Sequence, residues 1–359
     1  TKKNLMNSNF SFKIFNRLEE KLKEDWLSLE QNSNFLFFQK YYYAKNLIEV
    51  FKINLFFIAV VYDKNKPVAI FPLEIKSYKK VKILQWLGSN QSDYCCPIIK
   101  NDVFKDHQKF EFIWKEILKE IENFDIIFLN KQPEYVEKTL NPFVQFLKNV
   151  FHSKVYQIDL SKFDENLSYI KNNKFTSEFK RTKKKLTENY QVEFQNYFLA
   201  NQTDLIDRII KKKISYLEKK RISHSVSSDF INLNKKLSIT YPDKLVAGVL
   251  KINNEIVAAN IGIIENRRFY YLVPVVFSDK YSSFSPGKLL IYKLLSWSKN
   301  NEVDTFDFGI GDEIYKKYWS NYSTRIFRHI DYKGTKGLIF YFIIKLYLKM
   351  KEIFKNFKL

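Results

Sequence analysis

The stretch Asp307-Phe308-Gly309-Ile310-Gly311-Asp312-Glu313-Ile314-Tyr315-Lys316 gathers the residue types that proton transfer and charge stabilisation need. Period-two alternation turns Asp307 away from Phe306 and Phe308 and sets it at the C-terminal end of an expected strand, where open α/β sheets keep their ligands. A carboxylate there can take a proton from an amine or orient it, and Lys316 can face a developing negative charge. Asp312 and Lys316 are four apart, which is also the spacing of an ordinary ion pair on the helix that follows.

Upstream, Tyr281-Ser-Ser-Phe-Ser-Pro-Gly-Lys288 follows one expected strand and opens a helix. Ser285 suits the N-cap and Pro286 the first helical position, so that Gly287, Lys288 and Leu289 would offer free N–H groups at the positive end of the helix. Such a terminus binds phosphate or pyrophosphate, and the same signature also describes a plain capped helix. Gly88 is the sole glycine before Gly248. Backbone that closely approaches a ligand favours glycine, which puts the ligand chemistry in the second half.

The elements that must position these residues repeat along the chain. FIAVVYDKNKPVAIFPL (57–73) and LVAGVLKINNEIVAANIGI (245–263) each read as strand, polar turn, strand. After the first come a segment at 82–88, an amphipathic helix at 106–122 and a strand at 125–129. After the second come a strand at 269–276, a helix at 288–300 and a strand at 303–308. Two similarly built halves follow. Between them, 163–221 reads as mostly helical, and its two patches at 171–185 and 208–221 each hold seven basic residues and one acid. These are solvated helix faces or a polyanion-binding surface.

The 359 residues, 45% of them hydrophobic, suffice for about two domain cores and argue against extensive disorder. Only Cys95 and Cys96 occur, so there is no disulfide framework, and His107, His152, His224 and His329 are too scattered for a zinc cluster. The net charge of +21 fits an anionic partner, RNA or a membrane surface, and equally an AT-rich codon bias toward Lys, Asn, Ile, Phe and Tyr. The polar start of the chain lacks the apolar core of a secretory signal, and the apolar run at 338–344 is too short to span a bilayer. A cytoplasmic protein is expected. The segment 338–357 sets Lys345, Lys349, Glu352 and Asn356 on one stripe among apolar residues, a pattern suited to packing or to a membrane interface with the basic stripe toward the headgroups.

The hairpin EIVAANIGI, the strand FYYLVPVVF, SPGKLL with its helix and DFGIGDEIYKKYW together resemble the Gcn5-related N-acyltransferase (GNAT) superfamily. Within it the sequence resembles the CelD-type double-domain acetyltransferases of polysaccharide biosynthesis, related to the FemAB peptidoglycan aminoacyltransferases. Trp86-Leu87-Gly88 followed by Ser92-Asp93-Tyr94 resembles that group's LG...DY segment, and Ser177 to Arg181 with Lys184, Lys185 and Leu186 its basic helix. The chain departs from single-domain members in lacking a full Q/R-x-x-G-x-G/A pyrophosphate loop.

The resemblance implies an α/β (α+β) fold of two tandem GNAT-like domains, each a twisted mixed sheet flanked by helices. Residues 1–155 would be a degenerate N-terminal copy, 156–335 the domain carrying the donor site and 336–359 a C-terminal amphipathic helix. It implies direct acyl transfer from acyl-CoA, acetyl-CoA included, to an amino sugar or similar amine in cell-envelope polysaccharide synthesis, with no metal. Asp307 would be base or amine orienter, with Asp312 beside it. Lys316 would be the cation near the oxyanion or the donor phosphate, the Tyr315-Lys316 pair matching the aromatic-Lys pair of FemAB enzymes. Ser285, Gly287 and Lys288 would cradle the donor phosphate, and Asp93, Tyr94 and Arg181 would contact the acceptor. Two alternatives stay open: an aminoacyl-tRNA donor, as in FemAB, and a non-catalytic basic adaptor on an anionic membrane or nucleic acid.

Overall fold

The computed structural model describes residues 10–356 apart from 102, 105 and 223, with side chains as far as residue 350. Residues 1–9 of the polar N-terminal stretch, the side chains of Glu352 and Asn356, and Phe357 lie outside the described part. In chain order the elements begin with β1 (Phe10–Phe15), α1 (Glu20–Asn32), α2 (Tyr41–Phe51), β2 (Phe56–Asp63), β3 (Lys66–Tyr78), β4 (Val81–Trp86), β5 (Ile98–Ile99), α3 (His107–Glu120) and β6 (Ile126–Pro133). Next come β7 (Tyr135–Val136), β8 (Thr139–Leu140), α4 (Pro142–Phe146), β9 (Asn149–Asp159), α5 (Asn173–Asn189), β10 (Val192–Phe198), α6 (Thr203–Lys219), α7 (Ser228–Thr240) and β11 (Leu245–Ile252). The chain ends with β12 (Glu255–Glu265), β13 (Arg268–Val276), α8 (Pro286–Asn300), β14 (Thr305–Ile310), α9 (Ile314–Trp319), β15 (Tyr322–Tyr332) and α10 (Gly334–Asn356).

Two compact units result: unit 1 takes the chain up to residue 152 and from 325 onward, and unit 2 takes residues 153–324. The strands of unit 1 lie in the order β1-β2-β3-β4-β6-β15 and those of unit 2 in the order β10-β11-β12-β13-β14-β9. In each, four strands form an antiparallel meander, a helix crosses to a parallel fifth strand (β4 with β6, β13 with β14), and an antiparallel strand closes the edge. The repeated order of elements in the sequence is therefore a repeated sheet, and the fold class is the mixed α/β one expected.

Local chemistry explains the meanders. Lys64-Asn65, Asn253-Asn254 and Asn266-Arg267 all have positive φ, as the two central residues of a type I′ hairpin turn require, and asparagine tolerates that region well. The crossover helix α3 is capped by Asp106, which accepts the Gln108 N–H at 2.8 Å, and buries Phe110, Ile113, Trp114 and Ile117. Its counterpart α8 buries Leu289, Leu290, Ile291, Leu294 and Leu295 against the sheet of unit 2. One element departs from the helical reading of 163–221. Val192–Phe198 is a strand, because it covers the edge of β11 from Val192↔Ile252 to Phe198↔Val246.

The parallel pair of unit 1 is plugged. Beyond Gly88 (φ +62) the chain turns back, Cys95 gives its N–H to the Lys131 carbonyl at 2.9 Å, and Lys131 Nζ holds the carbonyls of Ser89 and Ser92 at 2.8 and 2.7 Å. Burial pushes the Cys95 thiol up to about 12, which keeps it a thiol at neutral pH. Helix α10 rests on unit 1 near its start, where a Cβ at Gly337 would run into the Asp125 carbonyl. Farther along, Lys345 lies over the Tyr341 ring, while Ile339, Phe342, Ile343, Leu346, Tyr347 and Met350 form a stripe that is 48–63% exposed. Among the described side chains the outward face is thus largely apolar, with Lys349 also exposed. No helix among the described residues is long and apolar enough to cross a membrane.

Candidate active site

The site in unit 2 starts from a break in the sheet. Strands β13 and β14 pair only at Arg268↔Thr305, Phe269↔Phe306 and Tyr270↔Asp307. β13 runs on to Val276 against β12, and β14 runs on to Ile310 against β9, so the two part and leave facing edges open. The parting begins just beyond Asp307, the last residue of β14 paired with β13. Its Oδ1 accepts the Gly309 N–H at 2.8 Å, a local turn that Gly309 completes at φ +67, and the β14–β9 register shifts between Asp307 and Ile310. Pro274, without an N–H to donate, occupies β13 where its second edge has lost its partner strand.

Asp307 is itself fully buried. Its Oδ2 accepts from Gln157 Nε2 at 2.8 Å and from the Arg268 guanidinium at 3.0 Å. With both oxygens engaged, it is built to hold Arg268 and the end of β14 in place.

Lys316, on α9, is also buried. Its Nζ donates to the Ile310 carbonyl at 2.9 Å and pairs with Glu313 at 2.9 Å. Asp312 lies in the turn before α9 rather than on it, so Glu313 supplies the carboxylate that the four-residue spacing had assigned to Asp312. Tyr315 packs edge-on against Phe308, and burial, with the Glu313 charge adding, raises its phenol so that it stays a neutral hydroxyl.

At the start of α8, Ser285 occupies the N-cap position with φ +50 and makes no side-chain capping bond. Its left-handed backbone turns its carbonyl into the helix, where it accepts the N–H groups of Lys288 and Leu289 at 2.9 and 3.3 Å. Two of the three N–H groups expected to be free are therefore used inside the first turn. Gly287 faces open space, since a Cβ there would meet only Val276 Cγ2, at 3.6 Å. Lys288 pairs with Glu178 at 3.4 Å and lies over the Phe175 ring.

Ser285, Gly287, Lys288, Asp307, Asp312, Tyr315 and Lys316 thus all belong to unit 2, with Arg181 on the exposed face of α5. Asp93 and Tyr94 belong to unit 1; Tyr94 is buried and its carbonyl accepts from Gln39 at 2.9 Å. Sequence reasoning missed Arg268, Gln157, Glu313, Lys213 and Asn260. Lys213 lay in view within the basic patch at 208–221 but without a signal separating it from its neighbours. Asn260, opposite Pro274 in the β12–β13 ladder, is fully buried, and among the described residues neither polar atom of its side chain finds a hydrogen-bond partner. Among the described residues no group of His, Cys, Asp and Glu is placed to hold a metal ion.

Residues 173–317 match the family model of the acetyltransferase (GNAT) domain. The solved structure of FemX has a TM-score of 0.56 at 11% identity, over 89% of this chain and 97% of that one. L-PGS from Bacillus licheniformis has 0.54 at 10%, over 89% and 94%. A tandem GNAT protein from the clavulanic acid biosynthesis pathway has 0.51 at 9%, over 90% and 99%. No curated protein matches the sequence. The fold is that of GNAT- and Fem-like proteins, and the chain is an acyltransferase.

Proposed function

We propose, from the acetyltransferase domain of unit 2, that this enzyme transfers an acyl group from acyl-CoA to an amine, on an amino sugar or similar glycan precursor of cell-envelope polysaccharide synthesis. The observation that carries the reading is the parting of β13 and β14 beside the open start of α8. A thioester laid along the free edge of β13 meets backbone groups with no strand partner, and its phosphates reach the space over Gly287 with Lys288 at its rim. Holding donor and amine in line can contribute about 7–11 kcal/mol in the best cases.

In this reading Lys316 faces the oxyanion that develops as the amine attacks, and the Tyr315 hydroxyl, kept neutral by burial, is a second donor for the site. Asp307 acts through Arg268 and the turn at Gly309, as a positioning residue, with Asp312 in the adjoining turn. Asp93, Tyr94 and Arg181 are assigned to the acceptor by the CelD-type resemblance. The exposed bases of α5, Lys180, Arg181, Lys184 and Lys185, together with the likeness to FemX, support a second reading in which aminoacyl-tRNA is the donor. The apolar stripe of α10 on a chain of charge +21 supports peripheral contact with an anionic lipid surface, on the cytoplasmic side.

Thermal unfolding with acetyl-CoA and longer acyl-CoAs tests the donor. At about 100 times its dissociation constant a ligand stabilises by roughly 2.7 kcal/mol. The expected result is a raised midpoint with acyl-CoA that is lost in Gly287→Trp, whose ring would fill the open space at that position. No shift with any acyl-CoA, with tRNA bound at low salt, would move the assignment to the tRNA-borne donor.

A further inference from the structure

Three charged side chains converge where β13 and β14 part. Lys213 reaches in from α6, its Nζ 3.4 Å from the carbonyl oxygen of Pro274 on β13. Lys316 reaches in from α9, its Nζ on the carbonyl of Ile310 at the end of β14. Each lysine therefore sits on a carbonyl of one of the two parted strands. Glu313 supplies the negative charge, 2.9 Å from Lys316, and its side chain is 56% exposed while that of Lys316 is 5% exposed.

The charges do not balance within this group. Burial pulls the Lys213 pKa down, the Glu313 charge opposes that shift and the Lys316 charge adds to it, so Lys213 feels both members of the Lys316–Glu313 pair. Removing two ammonium groups from water is unfavourable unless anions compensate them. The backbone keeps room for an anion here: Gly311 has φ +137, and a Cβ on it would collide with the Glu313 carboxylate and lie 2.9 Å from Lys316 Nζ. Only the carboxylate can leave easily, since its side chain already reaches solvent.

We propose that Lys213 and Lys316 form a seat for an anionic oxygen group of the substrate, a phosphate or a carboxylate, and that the Glu313 carboxylate stands in for that group in the free protein. The inference rests on the acyl-transfer reading for its place in the reaction, and it adds that the molecule entering the gap between β13 and β14 carries negative charge near its reacting end. The same pair of cations favours the neutral form of an amine held beside them, which is the form that attacks.

The test is calorimetric titration of inorganic phosphate, and separately of acetate, at low ionic strength and without any acyl donor. Wild type is compared with Lys213→Gln, Lys213→Arg, Glu313→Gln and Lys288→Gln. Losing a charge-assisted hydrogen bond weakens binding by about tenfold or more. Lys213→Gln should weaken binding by about that factor, Lys213→Arg should retain it, and Glu313→Gln should tighten it by removing the competing carboxylate. Lys288→Gln should leave the effects of the other substitutions in place. Whichever of the two probes shows this pattern identifies the group as phosphate or carboxylate. Unchanged binding in both Lys213→Gln and Glu313→Gln, or weaker binding in Glu313→Gln, overturns the proposal. If Lys213→Gln fails to fold, Glu313→Gln decides alone, because that side chain is exposed. Failure of acyl-CoA to bind, with this phosphate pattern intact, would sink the donor assignment and leave the seat standing.

Discussion

Replacing Asp307 with Asn keeps the shape of the side chain and removes its charge. In the native protein the carboxylate accepts hydrogen bonds from Gln157, Arg268 and the Gly309 N–H, with no exposure to solvent. An amide has one acceptor oxygen, so its NH2 must face at least one of those donors, and Arg268, whose side chain is only 13% exposed, loses its counter-charge. Breaking a buried pair by removing one partner costs about 3–5 kcal/mol. At about 2–4 °C per kcal/mol for a domain of this size, the midpoint of unit 2 should fall by about 6–20 °C. Urea unfolding followed by tryptophan fluorescence measures the loss. The double variant Arg268→Met/Asp307→Asn should lose less than the sum of the single variants, by about 1–3 kcal/mol. If Asp307→Asn cost less than about 1 kcal/mol while the turnover rate dropped by about 10²–10⁴, Asp307 would be a general base and the positioning role assigned to it would be wrong.

Other expectations follow from the same geometry. Burial holds His329 below the ordinary value of 6.5, so the unfolded chain takes up a proton before the folded one does. The stability contributed by the neutral ring is full above about pH 6.5 and falls as the pH drops below it, and His329→Gln should flatten the stability profile between about pH 7 and 5. An unchanged slope would remove His329 as its source. Gly88→Ala should destabilise unit 1 by about 1–3 kcal/mol, because φ is +62 and the new Cβ would strike Leu47; denaturant titration that finds no loss contradicts this. Ile343→Glu with Leu346→Glu should abolish co-sedimentation with phosphatidylglycerol vesicles, each buried side chain being worth about 1.5–3 kcal/mol. Retained sedimentation would exclude the apolar stripe of α10 as the contact.

Much of this protein is set by local sequence. The hairpin turns at Lys64-Asn65 and Asn253-Asn254 follow from residues that accept positive φ, the crossover helices from apolar periodicity, and the repeated halves from the recurrence of both. Ser285, Asp307 and Lys316 were legible because glycine, proline and the end of a strand mark them in one dimension. Three features came only with the tertiary structure. Strand β15 joins unit 1 although most of 153–324 lies between it and β6, its partner, and short-range pattern carries no trace of which edge a distant strand will cover. Glu313, rather than Asp312, meets Lys316 because α9 starts at Ile314 and leaves Asp312 in the preceding turn. Arg268, Gln157 and Lys213 are ordinary polar residues of two strands and a helix until the pairing of β13 and β9 with β14 brings the first two onto Asp307 and the packing of α6 on β13 puts the third within reach of the Lys316 charge. Propensity acts over a few residues, whereas a charge in a low-dielectric site is governed by whatever the fold places within a few ångströms of it.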